Sequence, residues 1–516
     1  MSRKKQSRAR YLFMLLFMSV LAGCQGASEG KISRSEMDQD RTAGGAVEIN
    51  IFAKQNAAEP VPKDHPIIAE LEKKTNSSLN ITWIPTNTLN ERTKITLASG
   101  DIYDMMYVDS VYDPQFVQAA LAGAFWDLTP YIKEYKNLSG LPAEAWENTR
   151  INGKNYGVPR PRPLDGGGAM PMIRKDWIEK LGLQMPQTLD ELYMVAKAMT
   201  EKDPDGNGKA DTYGFAGNVE FNEMGSYSWV EQTYTMTKGK WQLKEGKLSP
   251  TFFDPRIKDS LEYLKKAYDE KVLPPDFAVL KFSQARDNFM GNKAGILGSA
   301  VKPQWLFMEA ILKIDPKADV YPLPYISGPD GSFASKSSGY LGIYAIPKSI
   351  PEAKMKKIVA VMDLGVTDEV SNIANYGLKD IHYKVAEGDS TYIIFTEQAV
   401  KDNIPVIVNN TSNLFTSYNN YFNAFYAGIP REYYERNKKV IDERSKMSIA
   451  DPAEGIFSNT YLMIGPDIEK KMQDLKVKII LGKEPMSAWD SFVAKLKSDV
   501  QLQKAIQEMN DAYNRK

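Results

Sequence analysis

Cys24 is the only cysteine in this 516-residue chain. No intramolecular disulfide can form, so any folded body must be held by burial of apolar surface. The position of that cysteine is equally informative. Arg3, Lys4, Lys5, Arg8 and Arg10 form a positive stretch, Tyr11 to Val20 is an apolar run, and Leu21-Ala22-Gly23-Cys24 closes it. The run is too short to span a bilayer, and its flanks are those of an export signal. Small residues ahead of a cysteine form a lipobox, in which the thiol accepts a diacylglycerol thioether. The expectation is a leader over 1–23, lipidation at Cys24, and a mature protein hung from a membrane outside the cytoplasm.

Removing the leader takes five basic residues and no acid, leaving 60 Lys+Arg against 65 Asp+Glu. That balance gives no global reason to bind nucleic acid. About 490 remaining residues are ample for a core and too many for a single one, so two or three domains are expected. The only histidines are His65 and His382, which leaves a Ser-His-Asp triad two candidate bases, and lipidation of the sole cysteine excludes a Cys-His pair. No HExxH, Walker A or GxGxxG pattern occurs. Ser299-Ala-Val-Lys302 fits SxxK, but so does Ser28-Glu-Gly-Lys31, and neither has an SDN or KTG companion; both read as chance.

Residues 24–46 are polar and nearly free of large apolar groups, the composition of a flexible tether. Val47 to Phe52 then alternates as a strand does. A helix is expected over Ile67–Thr75, a strand over Leu79–Ile84, a helix over Asn90–Ala98 and a strand over Met105–Val108. Strands alternating with helices imply an α/β fold with a largely parallel sheet, whose ligands lie beyond the strands' carboxyl ends. Thr188 with Glu191 predicts a capping box. The Pro/Gly-rich stretch Val158 to Met172 reads as a hinge or loop.

Asp203-Pro-Asp205-Gly-Asn207-Gly208-Lys209-Ala-Asp211 fits D-x-D-x-N-G-x-x-D. Side chains of Asp203, Asp205, Asn207 and Asp211 and the Lys209 carbonyl supply the hard oxygens calcium takes. Position 12 is Gly214 where an EF-hand has glutamate, so Glu220 or Glu223 is the candidate to complete the set. The alternative is a plain Asp/Asn/Gly turn. The expected role of calcium in this 203–214 loop is structural.

In order along the chain come Gly100-Asp-Ile-Tyr-Asp104, Gly123-Ala-Phe-Trp-Asp-Leu-Thr-Pro130, Gly153-Lys-Asn-Tyr-Gly-Val-Pro159, Arg174-Lys-Asp-Trp-Ile-Glu-Lys-Leu-Gly-Leu183, Ile480-Leu-Gly-Lys-Glu484 and Ala488-Trp-Asp490. This series resembles family 1 of the extracellular solute-binding proteins, the carbohydrate receptors of ABC importers, over about residues 47 to 516. The long form looks most like the subfamily with oligosaccharide and alginate-binding receptors; those carry an acid where this calcium loop has Thr212. The resemblance implies a two-lobed periplasmic-binding-protein-like fold, each lobe a mixed, largely parallel sheet flanked by helices. Expected boundaries are 47–160 with about 335–390 for one lobe and 165–330 with about 391–516 for the other. Crossings are expected near Val158–Met172 and Pro324–Tyr344, with a third later, unplaced. It implies a monomer that captures an oligosaccharide, delivers it to permease subunits, binds no nucleic acid and is not an enzyme. A surface polysaccharide-processing enzyme, with paired carboxylates among the 65 acids, is the alternative.

Sugar rings need aromatic faces and hydrogen-bonding polar groups that converge in a cleft. Trp305, after the glycine-rich run Gly291 to Gly298, falls where related receptors have a stacking tryptophan. Tyr227 and Trp229 lie in a polar stretch. Tyr376 is a further aromatic candidate. Asp109 sits at an expected strand end, and Arg160 and Arg162 at the hinge are placed to pair with a uronate.

Overall fold

A computed structural model of the chain describes residues 45–100 and 103–516. The expected leader, Cys24 and nearly all of the tether lie outside the described residues. Residues 46–516 form one compact unit.

The strands in chain order are β1 (Val47–Gln55), β2 (Ser77–Pro85), β3 (Met105–Val108), β4 (Gly157–Pro161), β5 (Met170–Arg174), β6 (Tyr213–Ala216), β7 (Trp241–Lys244) and β8 (Lys247–Pro250). They continue with β9 (Ala294–Ser299), β10 (Val320–Pro322), β11 (Ile326–Gly328), β12 (Gly331–Ser335), β13 (Tyr340–Ala345), β14 (Tyr383–Ala386), β15 (Asp389–Phe395) and β16 (Ser448–Ile449). Two sheets organise the molecule, one in the order β2-β1-β3-β13-β4 and the other β10-β5-β9-β6. The chain therefore leaves the first sheet through β4 and enters the second through β5. Both strands are fully buried, each with an arginine, and the stretch expected as a hinge or loop over Val158–Met172 thus includes most of β4 and the start of β5.

The sheets are less parallel than expected. β1 is parallel to β2 and to β3, and β6 to β9. β13 runs antiparallel to β3 and β4, and β5 to β9 and β10. The antiparallel members are the strands next to the crossings. They arrive from the other sheet over short connections, so no helix turns them round to run parallel.

The first core is built on Ile49, Ile51, Tyr107 and Tyr344, and helices Pro66–Thr75 and Glu352–Gly365 contribute Leu71 and Ile358. The second is built on Ile173, Phe215 and Ile296 with helices Leu189–Glu201, Arg256–Asp269 and Asn459–Ile480. The capping box at Thr188 and Glu191 is present: Thr188 Oγ1 accepts from the Glu191 N–H, and the Glu191 carboxylate accepts from the Thr188 N–H. Among the described residues no helix is long and apolar enough to cross a membrane.

The lobes interleave more than the expected boundaries allow. Ala399, Ile404, Val408, Leu414 and Phe415 pack in the first core, although they lie beyond residue 390. Asn410 and Asn413 hold this segment to the end of β1: Asn410 Oδ1 accepts from the Asn56 N–H and Asn413 Nδ2 donates to the Lys54 carbonyl. Conversely, Tyr383 and Ile393 of the β14–β15 hairpin pack against the cluster around Trp305.

Candidate functional site

Three crossing segments meet beside the carboxyl end of β4. The first is 162–169. The Arg162 N–H donates to the Gly339 carbonyl and the Ser337 N–H to Leu164, tying it to the return crossing. Asn423 Nδ2 donates to the Asp165 carbonyl, which ties it to a third. That third crossing, unplaced in the sequence, runs from Phe415 in the first core to Ala424 in the cluster around Trp305. Gly166, Gly167 and Gly168 make the close approach possible. Gly166 has φ +80°, and a Cβ at these three positions would strike Ile441, Ser337 and Ser335 respectively.

β1 and β3 bring Lys54, Tyr107 and Asp109 to this junction. Lys54 Nζ lies 2.8 Å from Asp109 Oδ1, which also accepts from the Tyr107 hydroxyl at 2.8 Å. Burial works against the Asp109 carboxylate, but Lys54 and Tyr107 outweigh it and hold its pKa below the usual range. Arg160, 3% exposed, donates to the Ser412 carbonyl at 3.1 Å and more weakly to Leu341 and to the Tyr107 hydroxyl. Its partners come from β3, β13 and the segment just ahead of the third crossing. Its guanidinium is thus a pin between segments rather than an open ligand group, and its Nε has no partner.

Arg162 is half-buried. Its Nη1 donates to the neighbouring Pro161 carbonyl, and its guanidinium lies 4.4 Å from the centre of the Phe422 ring. Lys302, just past β9, lies 3.4 Å from the same ring centre. Among the described residues no carboxylate is within 4.0 Å of either cation. Burial, then the charges of Arg162 and Arg160, push Lys302 down to about 7; burial and Arg160 likewise lower Arg162 well below its ordinary value. Lys302 and Phe422 were not among the sequence candidates. The signal was in view, since Lys302 ends the SxxK match read as chance. Ser299 makes no side-chain hydrogen bond to Lys302, so the pair is not a nucleophile and base.

Several sequence candidates are corrected. Tyr227 and Trp229 are each 1% exposed and pack on Phe277 and Phe215 in the second core. The polar residues around them belong to a short helical turn that lies on β9, where a Cβ at Gly298 would strike the Ser226 carbonyl. Trp305 lies on helix Gln304–Leu312, 9% exposed, with its ring 5.3 Å from that of Tyr433. It is a covered ring, not an open stacking platform. Its indole Nε1 has no acceptor. Tyr376 packs edge-on to Phe395 and Phe425 in the aromatic cluster bridging the hairpin to the second lobe.

The 203–211 loop holds itself together. Asp203 accepts backbone N–H bonds from Gly206, Asn207 and Gly208. Asn207 Nδ2 donates to both Asp205 and Asp211, at 2.8 and 3.0 Å. The hydrogen bond to Asp205 lowers the Asp203 pKa, while burial and Asp203 raise that of Asp205. Among the described residues no three acidic, histidine or cysteine side chains surround a common metal position. Glu220 and Glu223 do not complete the set: they follow the far end of β6, Glu220 bonded to Asn218 and Glu223 lining a side cavity.

That cavity, about 600 Å³, lies between Ser110, Tyr112 and Asp113 on the loop after β3 and Phe221, Lys240 and Glu469 of the second lobe. Another, about 470 Å³, lies along β2 at Asn80 and Trp83, away from the crossings.

Residues 56–368 match the family model described as bacterial extracellular solute-binding protein. The polygalacturonan/rhamnogalacturonan-binding protein YtcQ of Bacillus subtilis (strain 168) is 32% identical, with 98% of each chain covered. Lipoprotein LipO of the same organism is 30% identical over 95% of each. In solved structures, a solute-binding protein associated with an HMO-binding ABC transporter of Bifidobacterium longum infantis superposes with TM-score 0.72 at 19% identity, covering 91% of this chain and 99% of that one. With two lobes joined by three packed crossings and relatives matched from end to end, the chain belongs to the bacterial extracellular solute-binding proteins.

Proposed function

We propose that this protein is the substrate-binding lipoprotein of an ABC importer, which captures an oligosaccharide between its lobes and hands it to a membrane permease. The observation that carries the reading is the junction itself. Polar strand ends of one lobe, a cation of the other and an aromatic ring of the third crossing converge where the lobes meet. The name of one full-length relative favours a polysaccharide fragment as ligand. Binding alone is expected: at pH 7, oligosaccharides should raise the melting temperature and be recovered intact. New reducing ends after incubation would favour the enzyme reading instead. Closure about the crossings is driven by the ligand's preference for the closed form. It should lower the radius of gyration in solution scattering.

Lipidation of Cys24 belongs to the same proposal and places the protein on the outer face of a membrane. Cys24→Ala should release it into the medium, and retention in the membrane fraction would refute the anchor. Calcium in the 203–211 loop is supported by three carboxylates in nine residues, whose mutual repulsion a divalent cation relieves. Asp203, Asp205, Asp211 and the Asn207 and Lys209 oxygens would hold it, as a structural ion. Chelation should lower the melting temperature, and Asp205→Ala should abolish that response. No metal by elemental analysis, with no chelation effect, would remove calcium from the account.

A further inference from the structure

We propose that Arg162, Lys302 and Phe422 form a subsite for a carboxylate-bearing sugar, a uronic acid unit of the bound oligosaccharide. The inference rests on the receptor reading and narrows its ligand.

Most buried or half-buried cations of this protein have an acid: Lys54 has Asp109, Arg174 has Asp176, Arg436 has Asp319 and Lys476 has Glu231. Arg162 and Lys302 have none within 4.0 Å among the described residues, and the nearby charge that bears on both is Arg160, of the same sign. Withdrawing like charges from water without a counter-ion is costly. An aromatic face offsets part of that cost, and Phe422 supplies one to both. The remainder is what an anionic ligand would relieve.

Placement agrees with capture. Arg162 is on the first crossing, Lys302 follows a strand of the second sheet, and Phe422 is on the third crossing. A ligand touching all three bridges the parts that must come together on closure. The chemistry suits a uronate in particular. The guanidinium fork matches a planar carboxylate and the ammonium adds a point charge, with the Phe422 ring holding both cations in place. The burial that pushes Lys302 down to about 7 would be reversed by a carboxylate, so binding should take up a proton above that pH.

The test is calorimetric titration of the purified protein at pH 6.5. The probes are trisaccharides of galacturonic, glucuronic and mannuronic acid, each beside its carboxyl-reduced neutral counterpart. The proteins are the wild type, Arg162→Gln and Lys302→Gln, each checked by melting temperature. At least one acidic trisaccharide should bind, and carboxyl reduction or either substitution should weaken it tenfold or more. Equal affinity for the reduced sugar, or full affinity in both variants, overturns the subsite. Binding of neutral trisaccharides alone also overturns it but leaves the receptor standing. Binding of no sugar, acidic or neutral, counts against both.

Discussion

The two strands that flank the first crossing each carry a buried arginine, and the two are treated in opposite ways. Arg174 at the end of β5 is fully buried. It donates to both oxygens of Asp176, to Asp315 and to Asn292, and its guanidinium lies 4.6 Å from the Trp177 ring centre. Arg160 at the end of β4 meets only carbonyl and hydroxyl oxygens, and Arg162 beside it has a ring and one backbone carbonyl. Arg174 is neutralised within the fold and serves stability. The charge around Arg160, Arg162 and Lys302 is not, and a protein retains such an arrangement where something from outside completes it.

The difference is sharpest in folding free energy. Arg174→Ala leaves Asp176 and Asp315 without their partner and should cost about 3–5 kcal/mol by urea denaturation. Its sugar affinity should be unchanged, and a loss of affinity with little loss of stability would erase the contrast. Arg160→Gln, which loses carbonyl contacts but strands no acid, should cost about 1–3 kcal/mol in the same measurement.

Lys302 should behave with the opposite sign. Its folded pKa, about 7, is below that of an unfolded lysine, so between those values the unfolded chain binds more protons. Stability from this group therefore rises as pH climbs from about 7 and levels off once the unfolded lysine also loses its proton. Lys302→Met should make the ligand-free protein more stable below pH 7 and flatten that rise, read as melting temperature against pH. A melting temperature lowered at pH 6 would mean that Lys302 has an internal partner after all. The smallest effect is on binding. Arg162 and Arg160 are the charged groups acting on Lys302, so affinity for an acidic sugar should follow the charge of Lys302 and fall modestly from pH 6.5 to 8.5 in the wild type. Lys302→Met should abolish that slope.

Local pattern carried much of the fold. β1, β2 and β3 lie over the runs expected as strands, and the capping box at Thr188 is formed as its spacing requires. Family likeness supplied the crossings, and the glycines of 166–168 mark the first. Parallelism was overestimated because the crossing strands carry no local sign of their direction. The site was read less well. Asp109 does stand at a strand end, and Arg162 does lie at the junction. Tyr227 and Trp229 were drawn toward the cleft by polar neighbours whose hydrogen bonds are spent on a turn. Phe422 and Lys302 are far apart in the chain, and only the third crossing, which composition does not announce, brings the ring to the charge.

The glycine knot at 166–168 has a consequence for how such a receptor could change its diet. A side chain there would wedge apart the crossings at Ser335, Ser337 and Ile441, so the joint tolerates no variation. Positions 302 and 422 adjoin that knot: the Val301 N–H donates to the Gly166 carbonyl and Asn423 Nδ2 to the Asp165 carbonyl. Ligand choice and lobe movement are therefore written in neighbouring residues, the glycines setting the joint and the side chains beside them what it closes on. A descendant with a neutral side chain at 302 could turn to uncharged sugars while keeping its joint intact.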